Sequence, residues 1–531
     1  MSDNPETLST LMTTVVLGLD GAAFELIRKW IDSGDLPNLA RLSSEGAAMD
    51  MQSWLPPVTC PNWRCYASGV NPGKLGVFWW ERVDRENRSI ESTSSSEQFD
   101  GGEYWSLLDG KVSVINFPTG SPPSEVNGEF IAGGPGSEQT DYTHPPGLED
   151  HLRAEYDYQV HPELLSQLSK DDQENDCVDE IHRLIKQRFQ VLGDRLESGE
   201  YTLIHATVFY INVLHHFYWD REVVRTAWEI IDEGIGKLLD SGELDHLFVM
   251  SDHGSNRIEV EFNINTWLEE EGYLVRQTGA SDVMKRVGIT RDRVRPLLNR
   301  FRIEWLLRRV VPSEIKDLLP DSEGRVKRSG KEQLIDWNES TVIASGQGPL
   351  YVIAGSQSKR QKVKRELVEK LDGLRDAEGN LVIQAARPAE SVYSGPYTSD
   401  GPDILLDQAP NVHINGGIGV DNIFGRPETW AGENKDTGLF IAYGPEINPE
   451  TEVNDLRITD LAPTLLALHD APIPRDMDGK PRYKLFSEEA AIHSRESRLE
   501  DINWVKAGAQ ATHKTDDTVH SRLSDLGYIN E

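Results

Sequence analysis

The chain is 531 residues long, 38% hydrophobic with 13 Trp, and it carries 88 Asp+Glu against 54 Lys+Arg, a net charge of −34. That length exceeds the usual single domain, and the apolar content suits a folded globule rather than a disordered chain. The charge opposes general binding to nucleic acid or to an anionic membrane. Three cysteines (Cys60, Cys65, Cys177) without CxxC spacing argue against a disulfide scaffold. No apolar run approaches the roughly 20 residues that span a bilayer, and Met1–Glu6 lacks the basic and apolar regions of a secretion signal. The expectation is a soluble, cytoplasmic protein. Because the acidic excess is spread along the chain, a salt-rich cytosol that screens it is favoured.

The first apolar run, Val15-Val16-Leu17-Gly18-Leu19, reads as a buried strand ending in Asp20. A helix follows through Phe24–Ile31, and Pro37–Leu42 starts another. Thr59 sits in Pro56-Pro57-Val58-Thr59-Cys60-Pro61-Asn62. Val112–Asn116 and Thr202–Val208 are further short apolar runs, with helical patterns at Val178–Leu192 and Val223–Leu239. Leu247–Met250 is a strand that runs into Ser251-Asp252-His253-Gly254. Alternating strands and helices predict an α/β fold, a doubly wound and mainly parallel sheet. Two strands that finish in acid or imidazole ligands predict a metal site at the carboxyl ends of that sheet.

Residues 285–331 reverse the charge trend, with 14 Lys+Arg against six Asp+Glu, a local charge of +8. The pattern there is helical and amphipathic, which suits either a solvated packed face or an inserted basic lid that draws in an anionic substrate. The expected organisation is a core over residues 12–485, a lid over 265–335 within it, and a polar C-terminal tail over 486–531. Gly133-Gly134-Pro135-Gly136 lacks the Lys-Ser/Thr of a phosphate-cradling loop and reads as a turn. Trp79-Trp80 is expected to pack the core or rim, and His413 to be structural or solvent-facing.

In this order the motifs resemble the alkaline phosphatase superfamily, in particular the type I phosphodiesterase/nucleotide pyrophosphatase family of archaea and bacteria. The series comprises Leu19-Asp20-Gly21, Pro37-Asn38-Leu39, Pro57-Val58-Thr59-Cys60-Pro61, Gly69–Gly76 and Val114–Pro118. It continues through Ser251–Gly254, Phe262–Leu268, Asp460–Thr464 and Met477-Asp478-Gly479. The resemblance implies an alkaline phosphatase-like fold and a phosphoester hydrolase acting on a small-molecule substrate. It further implies a Thr59 nucleophile, with one divalent cation, Zn²⁺ or Mn²⁺, on Asp20, Thr59, Asp252 and His253. Carboxylates and imidazole suit such ions, and coordination makes a threonine alkoxide accessible. Asn62 matches the position of an amide that donates to the transferring phosphoryl oxygen. A sulfatase is disfavoured, because Thr59 cannot become formylglycine and Trp63 stands where that family has Arg.

The second cation of the family is where this sequence departs. His216 is in place, but Asn212 and Asn434 stand where the resemblance calls for Asp and His, with Glu433 and Asp436 as neighbours of the latter. Asparagine carries no charge and ligates Zn²⁺ poorly. Three readings follow. A hydrolase or phosphoryl-group transferase works with one metal, His215, His216 or basic groups standing in for the second. Alternatively, a weakened second metal binds through His216, or the chain is a pseudoenzyme or binding protein that keeps one metal site.

Overall fold

Val15–Leu19 and Leu247–Met250 become neighbours at the centre of the fold. They are continuous runs without polar alternation, as expected of strands covered on both faces. In the computed structural model, which describes residues 12–92, 102–169, 172, 175–277, 328–427, 429–495, 498–504 and 522–527, they lie in an eight-stranded sheet. From one edge its order is Ala47–Gln52, Thr437–Tyr443, His246–Met250, Thr14–Leu19, Tyr201–Val208, Lys111–Phe117, Gly128–Ala132 and Thr143–His144. The strand Thr14–Leu19 pairs in parallel with Tyr201–Val208 on one side and His246–Met250 on the other. Lys111–Phe117 and Gly128–Ala132 extend the parallel run, and Thr437–Tyr443 is antiparallel to both its neighbours. This is the mainly parallel α/β sheet expected, with the sequence-read strands matched to within about one residue at their starts.

Helices Phe24–Ser33, Pro37–Glu45, Asp176–Glu197 and Glu222–Asp240 cover the sheet through apolar faces. Leu26, Ile27 and Trp30 of the first, and Ile181, Leu184, Ile185, Val191 and Leu192 of the third, are buried at helical spacing. Three central strands release their chains at the same end of the sheet, at Asp20, at Phe209 and at Ser251. That geometry collects residues 20, 212–216 and 252–253 into one place, as the carboxyl edge of a parallel sheet does.

A second hydrophobic cluster lies beyond Val260. It holds Phe262, Ile264, Leu268, Leu350, Val352, Leu367, Ile404 and Ile414, together with Val83 and Ile90 of the hairpin Glu81–Ser92. Its sheet is Val342–Ala344, Pro349–Val352, Ile404–Gln408 and Ile383–Pro388, all antiparallel. Of the lid expected over 265–335, residues 278–327 lie outside the described residues. The ends of that stretch belong to the second core, since Trp267, Leu268, Leu274, Leu334 and Ile335 are buried in it. The described part of the polar tail expected over 486–531 packs on the main core. Phe486, Ile492, Trp504, Leu523 and Leu526 are buried in the main core, because scattered apolar residues in a polar segment are enough to dock it. Among the described residues no helix is long and apolar enough to cross a membrane.

Candidate active site

Asp20 is fully buried just past its strand, and the next residue turns the chain sharply. Gly21 has φ +65°, and a Cβ there would meet the Asn212 amide oxygen at 2.1 Å, so both conformation and space demand glycine. The turn is tied across the sheet. The Gly21 N–H donates to Asp252 Oδ1 (3.3 Å), the Ala22 N–H to Ser251 Oγ (2.8 Å), and Ser255 Oγ to the Gly21 carbonyl (2.6 Å). Two strand ends are thereby locked with their carboxylates facing one another.

Thr59 is the first residue of the helix Thr59–Ser68, entered from Val58 in an extended conformation. Its hydroxyl donates to Asp20 Oδ1 at 3.4 Å and lies 3.3 Å from His253 Nε2. The other His253 nitrogen, Nδ1, donates to the Gly254 carbonyl at 2.9 Å, which leaves Nε2 as the basic nitrogen directed at the cluster. Nε2 is 3.7 Å from Asp20 Oδ1 and 3.3 Å from Asp252 Oδ2. One ligand atom each from Asp20, Asp252 and His253 falls within a 4.8 Å span. Asp252 Oδ2 is buried and has no hydrogen-bond partner among the described residues. An uncompensated carboxylate oxygen beside a second carboxylate and a basic imidazole nitrogen is what a divalent cation satisfies, so this donor set fits one.

The electrostatics point the same way. Burial pushes the Asp20 carboxyl up to about 7, against hydrogen bonds from Trp63, Asn212 and Thr59 that pull it down. Asp252 is pushed well above the usual carboxylate range by burial and then by the neighbouring Asp20 charge. Burial holds His253 down to about 3, so its imidazole is neutral and able to ligate.

Trp63 lies one helical turn after Thr59. Its indole N–H donates to Asp20 Oδ2 at 2.8 Å, while its ring fills the space over Gly18, where a Cβ would come within 2.4 Å. The sequence signal for this contact was the i,i+4 spacing from Thr59, which puts both side chains on one helix face. Asn62, expected to donate to a phosphoryl oxygen, has its amide engaged within its own loop. Its amide nitrogen donates to the carbonyls of Trp54, Pro56 and Val58, and its oxygen accepts from the Trp54 N–H at 2.8 Å. The whole amide is consumed in clamping the loop before Thr59, so the expected donor to a phosphoryl oxygen is committed elsewhere.

Asn212, His216 and Asn434 do come together, on the helix Tyr210–Tyr218 and the strand Gly432–Lys435. Asn212 Nδ2 lies 3.2 Å from His216 Nε2 and 3.5 Å from Asn434 Oδ1. His216 Nδ1 donates to the Gly432 carbonyl (2.9 Å), and the ring stacks on Trp430 at 3.9 Å. Burial holds His216 down to about 4. The imidazole nitrogen that would ligate a metal therefore faces an amide N–H, and the carboxylate that Asn212 also meets is Asp20 of the first site. Glu433 is turned the other way, to Gln347 Nε2 (2.8 Å) and His413. This neutral set does not fit a second divalent cation. His215 is also occupied, accepting from the Trp228 indole at 3.1 Å and stacked on that ring. Trp79 and Trp80 are buried, as expected, and the Trp79 indole donates to Gln347.

The sequence profile of the family described as Type I phosphodiesterase / nucleotide pyrophosphatase matches residues 14–430. No curated protein sequence matches the chain significantly. Among solved structures the fold is similar to phosphonoacetate hydrolase from Sinorhizobium meliloti 1021 in complex with phosphonoformate. The TM-score is 0.55 at 14% identity, over 85% of this chain and 94% of that one. The same enzyme in complex with phosphonoacetate gives a TM-score of 0.56 at 14% identity and the same coverage.

Proposed function

Because the chain belongs to the type I phosphodiesterase/nucleotide pyrophosphatase family, a group of phosphoester hydrolases within the alkaline phosphatase superfamily, we propose that it cleaves a small-molecule phosphoester with Thr59 as nucleophile beside a single divalent cation. Asp20, Asp252 and His253 hold that cation, with the Thr59 oxygen as a further ligand. Zn²⁺ or Mn²⁺ suits this mixture of carboxylates and imidazole. When bound, the cation supplies a lowered hydroxyl pKa and positive charge for the transferring phosphoryl group. The observation that carries the reading is the convergence of the Thr59 hydroxyl, Asp20 and His253 within 3.7 Å of one another.

The chain's own groups account for the remaining requirements. Asp20 Oδ1 accepts the hydrogen bond of the Thr59 hydroxyl and orients its oxygen, and the Trp63 indole fixes the other carboxylate oxygen. Thr59 opens a ten-residue helix, whose amino end carries partial positive charge favourable to an incoming phosphoryl oxyanion. In the reaction a bond forms between Thr59 Oγ1 and phosphorus, the bond to the leaving alcohol breaks, and the hydroxyl proton ends on that alcohol. Water then cleaves the phospho-Thr59 ester and restores the hydroxyl. Asn212 and Asn434 support the restriction to one cation, since they bring no charge to the neighbouring position. The net charge of −34 supports action at high ionic strength in the cytoplasm, where repulsion on the surface is screened. Thr59→Ala tests the reading. Hydrolysis of a chromogenic phosphodiester is expected to vanish while the melting temperature holds, and unchanged turnover refutes the nucleophile.

A further inference from the structure

A small cavity of about 30 Å³ opens beside the site, lined by Trp79, Lys331, Gln347, His413, Asn415 and Trp430 and closed by backbone of Gly346, Gly416 and Gly527. Its wall is assembled from segments scattered over most of the chain, including the C-terminal residues 522–527, which dock through Leu523 and Leu526. Arg522 ties that segment to Glu138 at 2.7 Å, and the Trp430 indole donates to the Leu526 carbonyl at 3.0 Å.

Lys331 is the unusual member. Its side chain is 95% buried (5% exposed), yet no carboxylate among the described residues pairs with it. The two buried carboxylates behind the wall are answered by other groups. Glu433 is bound by His413 and by Gln347 at 2.8 Å, and Glu261 accepts from Asn415 Nδ2 at 2.5 Å. A buried ammonium needs an anion or ordered water to face it. The cavity is also mechanically joined to the reacting groups. Glu433 precedes Asn434, whose amide meets Asn212 against Gly21, and Trp430 carries the His216 ring on its face.

We propose that this cavity is a carboxylate subsite with Lys331 as its cation, in a wall whose His413 and Asn415 are held in place by Glu433 and Glu261. The carboxylate belongs either to a free small acid or to a pendant group of the phosphoester. The second source rests on the hydrolysis proposed above, whereas binding itself does not.

The test uses the full chain, chelated so that no metal attracts anions, with acetate as the probe. Acetate is expected to bind saturably and to slow amine labelling of Lys331, read by mass spectrometry on the wild type. In Lys331→Met the affinity is expected to fall about tenfold, the loss of one charged hydrogen bond. Equal binding in Lys331→Met, or labelling of Lys331 indifferent to acetate, overturns the proposal, and the labelling arm stands even where the variant fails to fold. The metal-loaded wild type is then given two chromogenic phosphodiesters differing only in a pendant carboxylate. A preference of about tenfold in kcat/KM that disappears in Lys331→Met identifies the substrate as the source. Acetate binding without that preference identifies a free acid. Turnover of neither ester refutes the hydrolase reading alone and leaves acetate binding to decide the subsite.

Discussion

Chelation turns the paired carboxylates into a measurable burden on stability. With no cation, Asp20 and Asp252 face each other in a buried site, and burial drives the Asp20 carboxyl from 3.8 to about 7. The folded pKa lies above the unfolded one, so the folded state holds its proton longer. The chelated protein is therefore most stable below about pH 4 as far as this group is concerned, and it loses that stability as pH rises towards 7. A shift of about three units is worth about 4 kcal/mol. Saturation with a divalent cation at a thousand times its Kd restores a similar amount, about 4 kcal/mol. If the chain unfolds as one unit, an entropy near 2 cal/mol/K per residue converts 4 kcal/mol to about 4 °C in melting temperature. The assay compares thermal melts of chelated wild type and Asp20→Asn, which cancels the contribution of carboxylates away from the site and also relieves Asp252 of its charged neighbour. The variant is expected to match the wild type near pH 4 and to melt about 4 °C higher above pH 7, and added Zn²⁺ or Mn²⁺ should reverse that order. Parallel melting curves across the whole pH range would show that the carboxylate is not an uncompensated buried charge, and the reasoning for a cation there fails.

Other expectations follow from single contacts. Asn62→Ala frees three loop carbonyls and one N–H from their side-chain partner, so it should cost about 1–3 kcal/mol in a urea melt. Unchanged stability with abolished turnover would return Asn62 to the donor role. Trp63→Phe removes the 2.8 Å donor to Asp20 and should cost about 1–3 kcal/mol while weakening metal retention on dialysis. The pair Asn212→Asp with Asn434→His supplies a carboxylate and an imidazole around His216, so bound Zn²⁺ measured by elemental analysis should rise from one to two per chain. One per chain in both proteins would mean that the two amides do not set the stoichiometry. Raising KCl from about 0.1 to 2 M should raise the melting temperature by screening the −34 charge, and a fall would count against the high-salt reading.

Much of the cluster of Asp20, Thr59, Asp252 and His253 was legible because its members sit at boundaries that sequence reports well. Asp20 and Asp252 end continuous apolar runs, and a parallel strand buried on both faces must stop where polar residues begin. Thr59, between Pro57 and Pro61, marks the start of a helix. Asn62 was not legible in the same way. Its position three residues after Thr59 is equally compatible with a group facing a ligand and with one folded back on its own loop, and only the path of residues 54–58 chose between them. The register at Asn434 was open by a residue in the sequence. In the fold Gly254–Arg257 pairs with Gly432–Lys435, which sets Ser255 opposite Asn434, while Glu433 binds Gln347 and His413.

The sequence by itself determined the α/β character of the chain, the order of its strands and helices, and the residues able to ligate one cation. Those are local properties, written in the spacing of apolar residues and in the side chains that follow them. Tertiary structure decided which polar groups are already spoken for. Asn62 is spent on a loop, His215 on Trp228 and His216 on Gly432, while among the described residues an Asp252 oxygen keeps no hydrogen-bond partner and Lys331 pairs with no carboxylate. Hydrogen bonding in a buried site is a competition among groups brought from distant parts of the chain, and its outcome exists only once the chain is folded.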